Sequence, residues 1–267
     1  MKKTLLALLT LASSQAFAHR LWLESNHIHG GEVLKAELGY GHFPVFEEIP
    51  EARLPIFKKG VQLIGKEGSQ DLVQKGEKNY QFESKEGLAN GSYLLSAEYA
   101  PTFWSKGKDG WKKDATLKTY EGAEHCEQSR MYAKQIVNVG HEAADVNDIN
   151  KPLGHLVEIV PLDNPENVLV GQPFKVKVLY RGEPLVGEYV YATFKGFGTE
   201  NVAPSHHKME PQAFVDKTDK NGEVSIIPLR QGLWKAMVDY TTPYQDQAEC
   251  LKETTYTTLT FQIGHQH

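Results

Sequence analysis

The stretch FKVKVLY at Phe174–Tyr180 places an apolar residue at every second position, and the turn sequence RGEP at Arg181–Pro184 follows it at once. A period of two is typical of a β-strand with one buried face. Gly and Pro directly after such a run are typical of a tight turn between antiparallel strands. These two features predict antiparallel sheet for this part of the chain.

The same alternation recurs along most of the chain, and turn clusters such as ANGS at 89–92 and DKNG at 219–222 separate the runs. Five further runs share it: Val33–Leu38, Tyr93–Tyr99, His155–Val160, Glu223–Ile227 and Thr257–Ile263. Only residues 121–134 look briefly helical. Short strands with regular turns predict an all-β protein made of antiparallel β-sandwiches, immunoglobulin-like or transthyretin-like, with one short helix.

A chain of 267 residues is more economically divided into two sandwiches than built as one. The most loop-like break lies in residues 161–173, where three Pro and one Gly interrupt the pattern. We place the boundary just before the strand that leads into this break. The predicted units are therefore residues 19–151, an N-terminal β domain, and residues 152–267, a C-terminal β-sandwich.

Residues 1–18 have the three parts of a secretory signal peptide. Lys2 and Lys3 are the positive region, Leu5–Ala12 is the apolar region, and Ala16–Ala18 is the small-residue cleavage site. No later stretch approaches eighteen consecutive apolar residues, so no membrane-spanning segment is predicted. We expect the mature protein to begin at His19 and to be exported to a bacterial periplasm.

Charge and cysteine content exclude several classes of function. With 29 Lys and Arg against 34 Asp and Glu, the formal net charge is −5, so the basic surface of a nucleic-acid-binding protein is not expected. Two Cys are too few for a thiolate zinc cluster or an iron–sulfur site. A bound metal must therefore be held mainly by His or carboxylate groups.

The two cysteines, Cys126 and Cys250, lie in a chain that we expect to enter an oxidising compartment. There they are expected to form a disulfide with each other. The alternative is two separately buried cysteines. A bond between them would tie the end of the first unit to the last part of the second.

His19 carries the most chemical information, because signal cleavage would make it the first residue. A free α-amine and an imidazole on one residue close a chelate ring around a metal ion, and both lose their protons to a divalent cation near neutral pH. This arrangement suits Cu, Ni or Co. The alternative is a frayed terminal residue with no ligand role.

Other histidines strengthen the metal hypothesis by clustering. His27 and His29 share strand parity, and His42 lies in a glycine-flanked turn, so each is a candidate ligand. His206 and His207 occupy a polar loop and are read equally well as ligands or as solvated residues. We expect structural roles for His125, His141 and His155. His265 and His267 are expected to lie in a solvated C-terminal end.

No catalytic motif is present: the sequence contains neither H-E-x-x-H nor G-x-S-x-G, and it lacks a phosphate-binding glycine loop. A catalytic Cys is not expected if both cysteines are paired. The residues therefore favour a binding protein over an enzyme.

Six motifs occur in order along the chain: Ala18–Glu24, Gly41–Phe43, Phe103–Trp111, Tyr132–Lys134, Pro152–Pro161 and Thr255–Phe261. Together they resemble periplasmic proteins of unassigned domain function that are often encoded beside nickel and cobalt uptake transporters. The resemblance covers nearly all of the mature chain. It implies a two-domain β protein that serves Ni²⁺ or Co²⁺ import, with His19 and His42 at the matching positions. The second half is also similar to the transthyretin-like accessory domains of carboxypeptidases, which implies fold only.

The leading hypothesis is a periplasmic protein that binds Ni²⁺ or Co²⁺ and delivers the ion to an inner-membrane uptake transporter. Nitrogen donors suit these ions, and Cu²⁺ would bind the same donors more tightly. Two alternatives stay open. One is a copper protein with an N-terminal His, either a chaperone or a polysaccharide oxidase. The other is an adhesion or scaffold sandwich that binds no metal.

Overall fold

A computed structural model describes residues 19–46, 49, 51–57, 60–76, 80–140, 145–198 and 210–264. Within these ranges the chain forms strands and three short 3₁₀ segments, Glu51–Ile56, Val146–Asp148 and Pro165–Asn167. The strands are β1 (Arg20–Ser25), β2 (Val33–Gly41), β3 (Val61–Gly65), β4 (Gly68–Asp71), β5 (Val73–Lys75), β6 (Gln81–Gly87), β7 (Gly91–Gly107), β8 (Gly110–Lys113), β9 (His125–Val139), β10 (Val157–Pro161), β11 (Phe174–Tyr180), β12 (Glu183–Pro184), β13 (Tyr189–Phe194), β14 (Phe214–Lys217), β15 (Glu223–Ile226), β16 (Gly232–Pro243) and β17 (Lys252–Ile263). The predicted all-β class is confirmed.

The strands form three sheets. A nine-stranded sheet has the order β14-β13-β16-β17-β9-β7-β3-β4, with β8 paired to β7. One four-stranded sheet contains β1, β2, β6 and β5, and the other contains β10, β11, β12 and β15. The strand pairs are antiparallel except for β9 and β17, which run parallel in the centre of the large sheet.

The two smaller sheets cover opposite faces of the large one. On β7, Leu95 belongs to the apolar cluster under the β1-containing sheet, whereas the preceding Leu94 belongs to the cluster under the β10-containing sheet. On β9, Ala133 and Ile136 are divided between the two clusters in the same way. Adjacent strand residues point to opposite faces, so the large sheet is the shared middle layer of two sandwiches. The division into units at residue 152 stays a prediction.

The predicted helix at residues 121–134 is wrong, because most of this segment belongs to strand β9. In β9, residues Met131–Val137 are all buried, so the segment lacks the alternation that identifies a half-buried strand. The reason is its position: β7 and β17 flank it in the sheet, and a smaller sheet covers each face. A strand buried on both faces cannot be separated from a helix by periodicity alone.

Strand β1 lies over β17 rather than extending the large sheet. The hydroxyls of Thr258 and Thr260 donate hydrogen bonds to the carbonyl oxygens of Leu21 (2.7 Å) and Leu23 (2.6 Å). These threonines are buried, and their hydroxyls satisfy β1 carbonyls that would otherwise lack partners. The start of β1 is thereby fixed above the middle of the large sheet. No helix in the described part of the chain is long and apolar enough to span a membrane.

Candidate metal site

The ladder between β1 and β2 brings His19 and His42 together. Arg20 pairs with Gly41 at the last step of this antiparallel ladder, so the residues just beyond it, His19 and His42, face each other. Their ring centroids are 5.3 Å apart and the ring planes are nearly perpendicular, at 81°. Both residues are half-buried, which leaves the pair accessible to an ion from solvent.

An aromatic platform supports this histidine pair. The ring of Tyr40 lies 5.1 Å from that of His19, and Tyr40 stacks in parallel on Tyr99 at 6.1 Å. Both tyrosines are at least 95% buried, and the indole N–H of Trp104 donates to the Tyr99 hydroxyl at 3.3 Å. Packed aromatic rings leave few alternative positions for the groups above them, so His19 has a rigid neighbour.

The positive charge next to His19 is neutralised. The Arg20 guanidinium forms an ion pair with Asp239 and lies 4.4 Å above the centre of the Tyr256 ring. Burial alone would lower the pKa of Arg20, but Asp239, Tyr256 and Glu210 together outweigh it and raise that pKa. Burial also raises the pKa of Tyr256 well above its usual value, so its hydroxyl stays a donor, to Glu127 at 2.8 Å. A cation at the histidine pair therefore does not meet an uncompensated arginine.

Glu210 fixes the chain on the other side of His42. One of its carboxylate oxygens accepts a hydrogen bond from the backbone N–H of Phe43 at 2.7 Å, and the other forms an ion pair with Lys235. The Lys235 side chain is completely buried, with its ammonium group 5.0 Å from the centre of the Phe43 ring. Burial lowers the pKa of Lys235, and the contact with Glu210 opposes that effect. The segment that carries His42 is thus held by a buried ion pair.

The described residues supply two ring donors at this place and not more. Among them, no three His, Cys, Asp or Glu side chains cluster closely enough to hold a metal ion. The third nitrogen expected from the sequence is the α-amine of His19, which exists only after cleavage before this residue. Two rings bound to one ion, each through a nitrogen about 2 Å from it, stand roughly 5 Å apart. The observed 5.3 Å fits that requirement.

The structure does not bring His27 and His29 to this pair. They follow the opposite end of β1, where their ring centroids are 5.0 Å apart at 86°. A six-residue strand rises about 3.3 Å per residue, which separates the two histidine pairs by roughly 20 Å. His27 and His29 thus lie next to each other, as their spacing in the sequence predicts. They are too far from His19 to bind the same ion.

The remaining predicted residues divide into three groups. His206 and His207 lie outside the described residues, as do positions 141, 265 and 267. The predicted Cys126–Cys250 disulfide is confirmed, with a Cα–Cα distance of 5.0 Å. His125 and His155 pack on aromatic rings, Trp111 at 5.4 Å and Tyr132 at 4.3 Å. Burial, more than the nearby Lys252 and Lys106, lowers the pKa of His125.

Comparisons with known proteins place the chain in a sequence family without assigning a chemistry. A sequence model described as "Domain of unknown function (DUF4198)" matches residues 16–242. No curated protein matches the chain. One similar solved structure is Escherichia coli alpha-2-macroglobulin activated by porcine elastase, with 12% identity, a TM-score of 0.25, and coverage of 91% of this chain and 23% of that one. Another is the D00-D0 domain of Intimin, with 9% identity, a TM-score of 0.21, and coverage of 92% and 100%.

Proposed function

We propose that this chain, which belongs to the DUF4198 family of unknown function, binds Ni²⁺ or Co²⁺ through His19 and His42 in the periplasm and delivers the ion to an inner-membrane uptake transporter. The observation that carries the proposal is the pairing of these two rings, 5.3 Å apart, at the open end of the β1–β2 ladder. His19 is also the residue that follows the predicted signal peptide.

The donor chemistry supports a late first-row cation. Two imidazoles and one amine are borderline nitrogen donors, which suit Ni²⁺, Co²⁺ and Cu²⁺, whereas Mg²⁺ and Ca²⁺ prefer oxygen. Each nitrogen must be deprotonated before it binds, so affinity rises with pH until the donors have lost their protons. Three protein donors leave coordination positions open, and an open position allows a second ligand to enter. That property suits a carrier, which must release its ion to a partner.

The surroundings of the pair support binding without a large rearrangement. The Tyr40–Tyr99 stack backs His19, and the Glu210–Lys235 ion pair holds the chain next to His42. Groups that are already in place lose less entropy when a ligand binds. The accessible, half-buried rings also fit an ion that is picked up and passed on.

Calorimetry on exported protein, shown by mass to begin at His19, tests the proposal. Ni²⁺, Co²⁺, Cu²⁺ and Zn²⁺ are titrated into the wild type and into His19→Ala, His42→Ala and, as a matched control, His125→Ala. We expect one Ni²⁺ per chain, at least a tenfold loss of affinity in the first two variants, and no change in the control. Equal Ni²⁺ affinity in all four proteins would overturn the proposal.

The copper alternative uses the same donors, so a test of reactivity is needed to distinguish it from a Ni²⁺ carrier. Cu²⁺ binds nitrogen sites more tightly than Ni²⁺ does, so affinity alone does not identify the biological ion. The copper-loaded protein is therefore supplied with ascorbate and a polysaccharide. Oxidised sugar products would indicate the oxidase, and none are expected from a carrier. Transfer of Ni²⁺ to membranes that contain a nickel transporter, faster than from free Ni²⁺ at the same activity, is expected of a carrier.

A further inference from the structure

We infer that Thr258 and Thr260 of β17 are positioning residues of the proposed metal site. They hold the start of β1, so that His19 stays opposite His42. The inference rests on the proposed function, since it concerns how that site is built. Residues at a chain terminus are usually poorly ordered unless other parts of the fold tie them down. Once the predicted signal peptide is removed, His19 is such a residue, and a fixed ligand there needs a tie.

Among the described residues, the backbone of β1 pairs with one strand, β2. It is the end strand in the sheet order β1-β2-β6-β5. Its ladder with β2 ends where Arg20 pairs with Gly41, and His19 lies one residue beyond that step. The ladder therefore holds the start of β1 from one side.

The carbonyl groups of Leu21 and Leu23 point to the other side of β1. Just after the strand, the Asn26 N–H donates to the Lys35 carbonyl of β2 at 3.1 Å. In an antiparallel pair the residues whose backbone groups face the partner strand alternate with those whose groups point away. Leu21 and Leu23 are of the second kind, so their carbonyl oxygens need donors from elsewhere.

The two threonines of β17 supply these donors. The Thr258 hydroxyl donates to the Leu21 carbonyl at 2.7 Å, and the Thr260 hydroxyl donates to the Leu23 carbonyl at 2.6 Å. Both threonines and both leucines are at most 1% exposed. A buried carbonyl that loses its donor is costly, so these bonds oppose any movement of β1 away from β17.

Two further contacts fix the register of β1. On β17, Tyr256 lies two residues before Thr258, on the same face, and the Arg20 guanidinium lies 4.4 Å above the centre of its ring. On β2, Gly39 lies opposite Trp22, and a Cβ atom at position 39 would lie only 2.1 Å from the fully buried indole. Only glycine allows so close an approach. β1 thus cannot slide along either neighbour without breaking a buried contact.

Thr258→Val is the decisive variant, because it removes the hydroxyl and keeps nearly the same shape. Thr258→Ser keeps a hydroxyl and should behave as wild type. Thr257→Val is the matched control: Thr257 is also 1% exposed, but its side chain points to the opposite face of the sheet. Thr260→Val replaces Thr258→Val if that variant fails to fold. It is the second choice because the Lys134 carbonyl, 3.3 Å from the Thr260 hydroxyl, can share its proton.

The first measurement needs no metal. In exported protein that begins at His19, the nuclear Overhauser effect between the ring protons of His19 and His42 reports whether the two rings are in contact. We expect this signal in wild type, Thr258→Ser and Thr257→Val, and we expect it to be lost in Thr258→Val. A signal of wild-type strength in Thr258→Val would overturn the inference.

The second measurement is calorimetry with Ni²⁺, at a temperature at which all variants are folded. Thr258→Val should bind Ni²⁺ about 10–100-fold more weakly than wild type, which is the usual cost of losing a group that orients a ligand. Thr258→Ser and Thr257→Val should match wild type. Wild-type Ni²⁺ affinity in Thr258→Val would also overturn the inference. If wild type binds no Ni²⁺ while the ring signal still depends on Thr258, the proposed function fails and the positioning of His19 by Thr258 stands.

Discussion

Glu210 accepts a hydrogen bond from the backbone N–H of Phe43 at 2.7 Å, although 167 residues separate the two in sequence. The same carboxylate is the partner of the fully buried Lys235. One side chain thus connects three elements: the segment after β2, strand β16, and the chain that begins at Glu210. The position of His42 depends on a residue of the second half.

Removing the Glu210–Lys235 pair separates its effect on stability from its effect on metal binding. Glu210→Ala leaves Lys235 buried without its partner and is expected to cost about 3–5 kcal/mol. Glu210→Leu/Lys235→Met removes both charges and should recover much of that stability. It cannot restore the bond to Phe43, so Ni²⁺ affinity should stay about 10–100-fold below wild type. Wild-type affinity in the double variant, measured by calorimetry, would show that the bond does not position His42.

The α-amine of His19 is tested by one added residue. A protein that begins Met-His19 keeps the imidazole but converts the amine to an amide, so the chelate ring is lost. Ni²⁺ affinity should fall at least tenfold, or about 1.4 kcal/mol. The pH dependence should also become shallower, because one competing proton with a pKa near 8 disappears. Parallel titrations of the two proteins over a range of pH decide the matter. Equal affinities and equal slopes would leave His19 with at most a ring contribution.

His206 and His207 stay predicted ligands. Glu210, three residues after His207 in sequence, contacts Phe43, the residue next to His42. His206→Ala/His207→Ala should then bind Ni²⁺ more weakly and show a smaller metal-induced rise in melting temperature. His125→Ala serves again as the control. An unchanged affinity would return the two residues to the solvated-loop interpretation.

The disulfide joins Cys126, near the start of β9, to Cys250, which lies just before β17. The two residues are 124 positions apart in sequence. Closing so long a loop restricts the unfolded chain, and losing a native disulfide typically costs about 2–5 kcal/mol. Cys126→Ala/Cys250→Ala should therefore melt roughly 5–15 °C lower than wild type. Alkylation of native protein without reductant should modify no thiol. A melting temperature within 2 °C of wild type would contradict the expected stabilisation.

Glu158 makes the stability of the fold depend on pH. Burial would raise its pKa, but Lys134 at 2.9 Å and the N–H group of Leu153 lower it below its ordinary value of 4.5. In acid the unfolded chain then takes up the proton first. The stabilisation is complete above pH 4.5 and is lost as the pH falls through the lower folded-state pKa.

Urea unfolding between pH 7 and pH 3 measures this loss. Glu158→Gln should be about 3–5 kcal/mol less stable than wild type at pH 7, since Lys134 loses its charged partner. Its stability should also fall less steeply in acid than that of wild type. Glu86→Gln, a change at an exposed carboxylate on β6, should leave the steepness unchanged. Parallel curves for wild type and Glu158→Gln would refute the role of this carboxylate.

The sequence predicts β11 well, where one strand face is exposed, and fails at β9, where both faces are covered. Phe174–Tyr180 has the predicted bounds, because solvent-facing Lys residues mark its outer face. β9 has no such marks. Lys134 and Gln135 in its middle resemble the polar side of a helix, but they are buried and bonded to Glu158 and Ser25. Only the layer order of the sheets distinguishes the two cases.

The histidines of the candidate site could be predicted from the sequence, but the residues that hold them in place could not. A residue after a signal peptide and a His in a glycine-flanked turn are visible in sequence, and the register of β1 and β2 brings them together. Asp239 and Glu210 carry no local signal, because their partners lie 219 and 167 residues away. Tyr40 does have a local signal, because it stands two residues before His42 in the sequence.

The parallel pairing of β9 with β17 fixes an order of events during folding. β9 ends at Val139, but its neighbour begins only at Lys252, near the end of the chain. Until that last strand arrives, one side of a fifteen-residue strand has unpaired backbone groups, a surface on which other chains can assemble. Contacts between such distant residues form slowly. The chain is therefore most prone to aggregate before residues 252–260 have paired with β9.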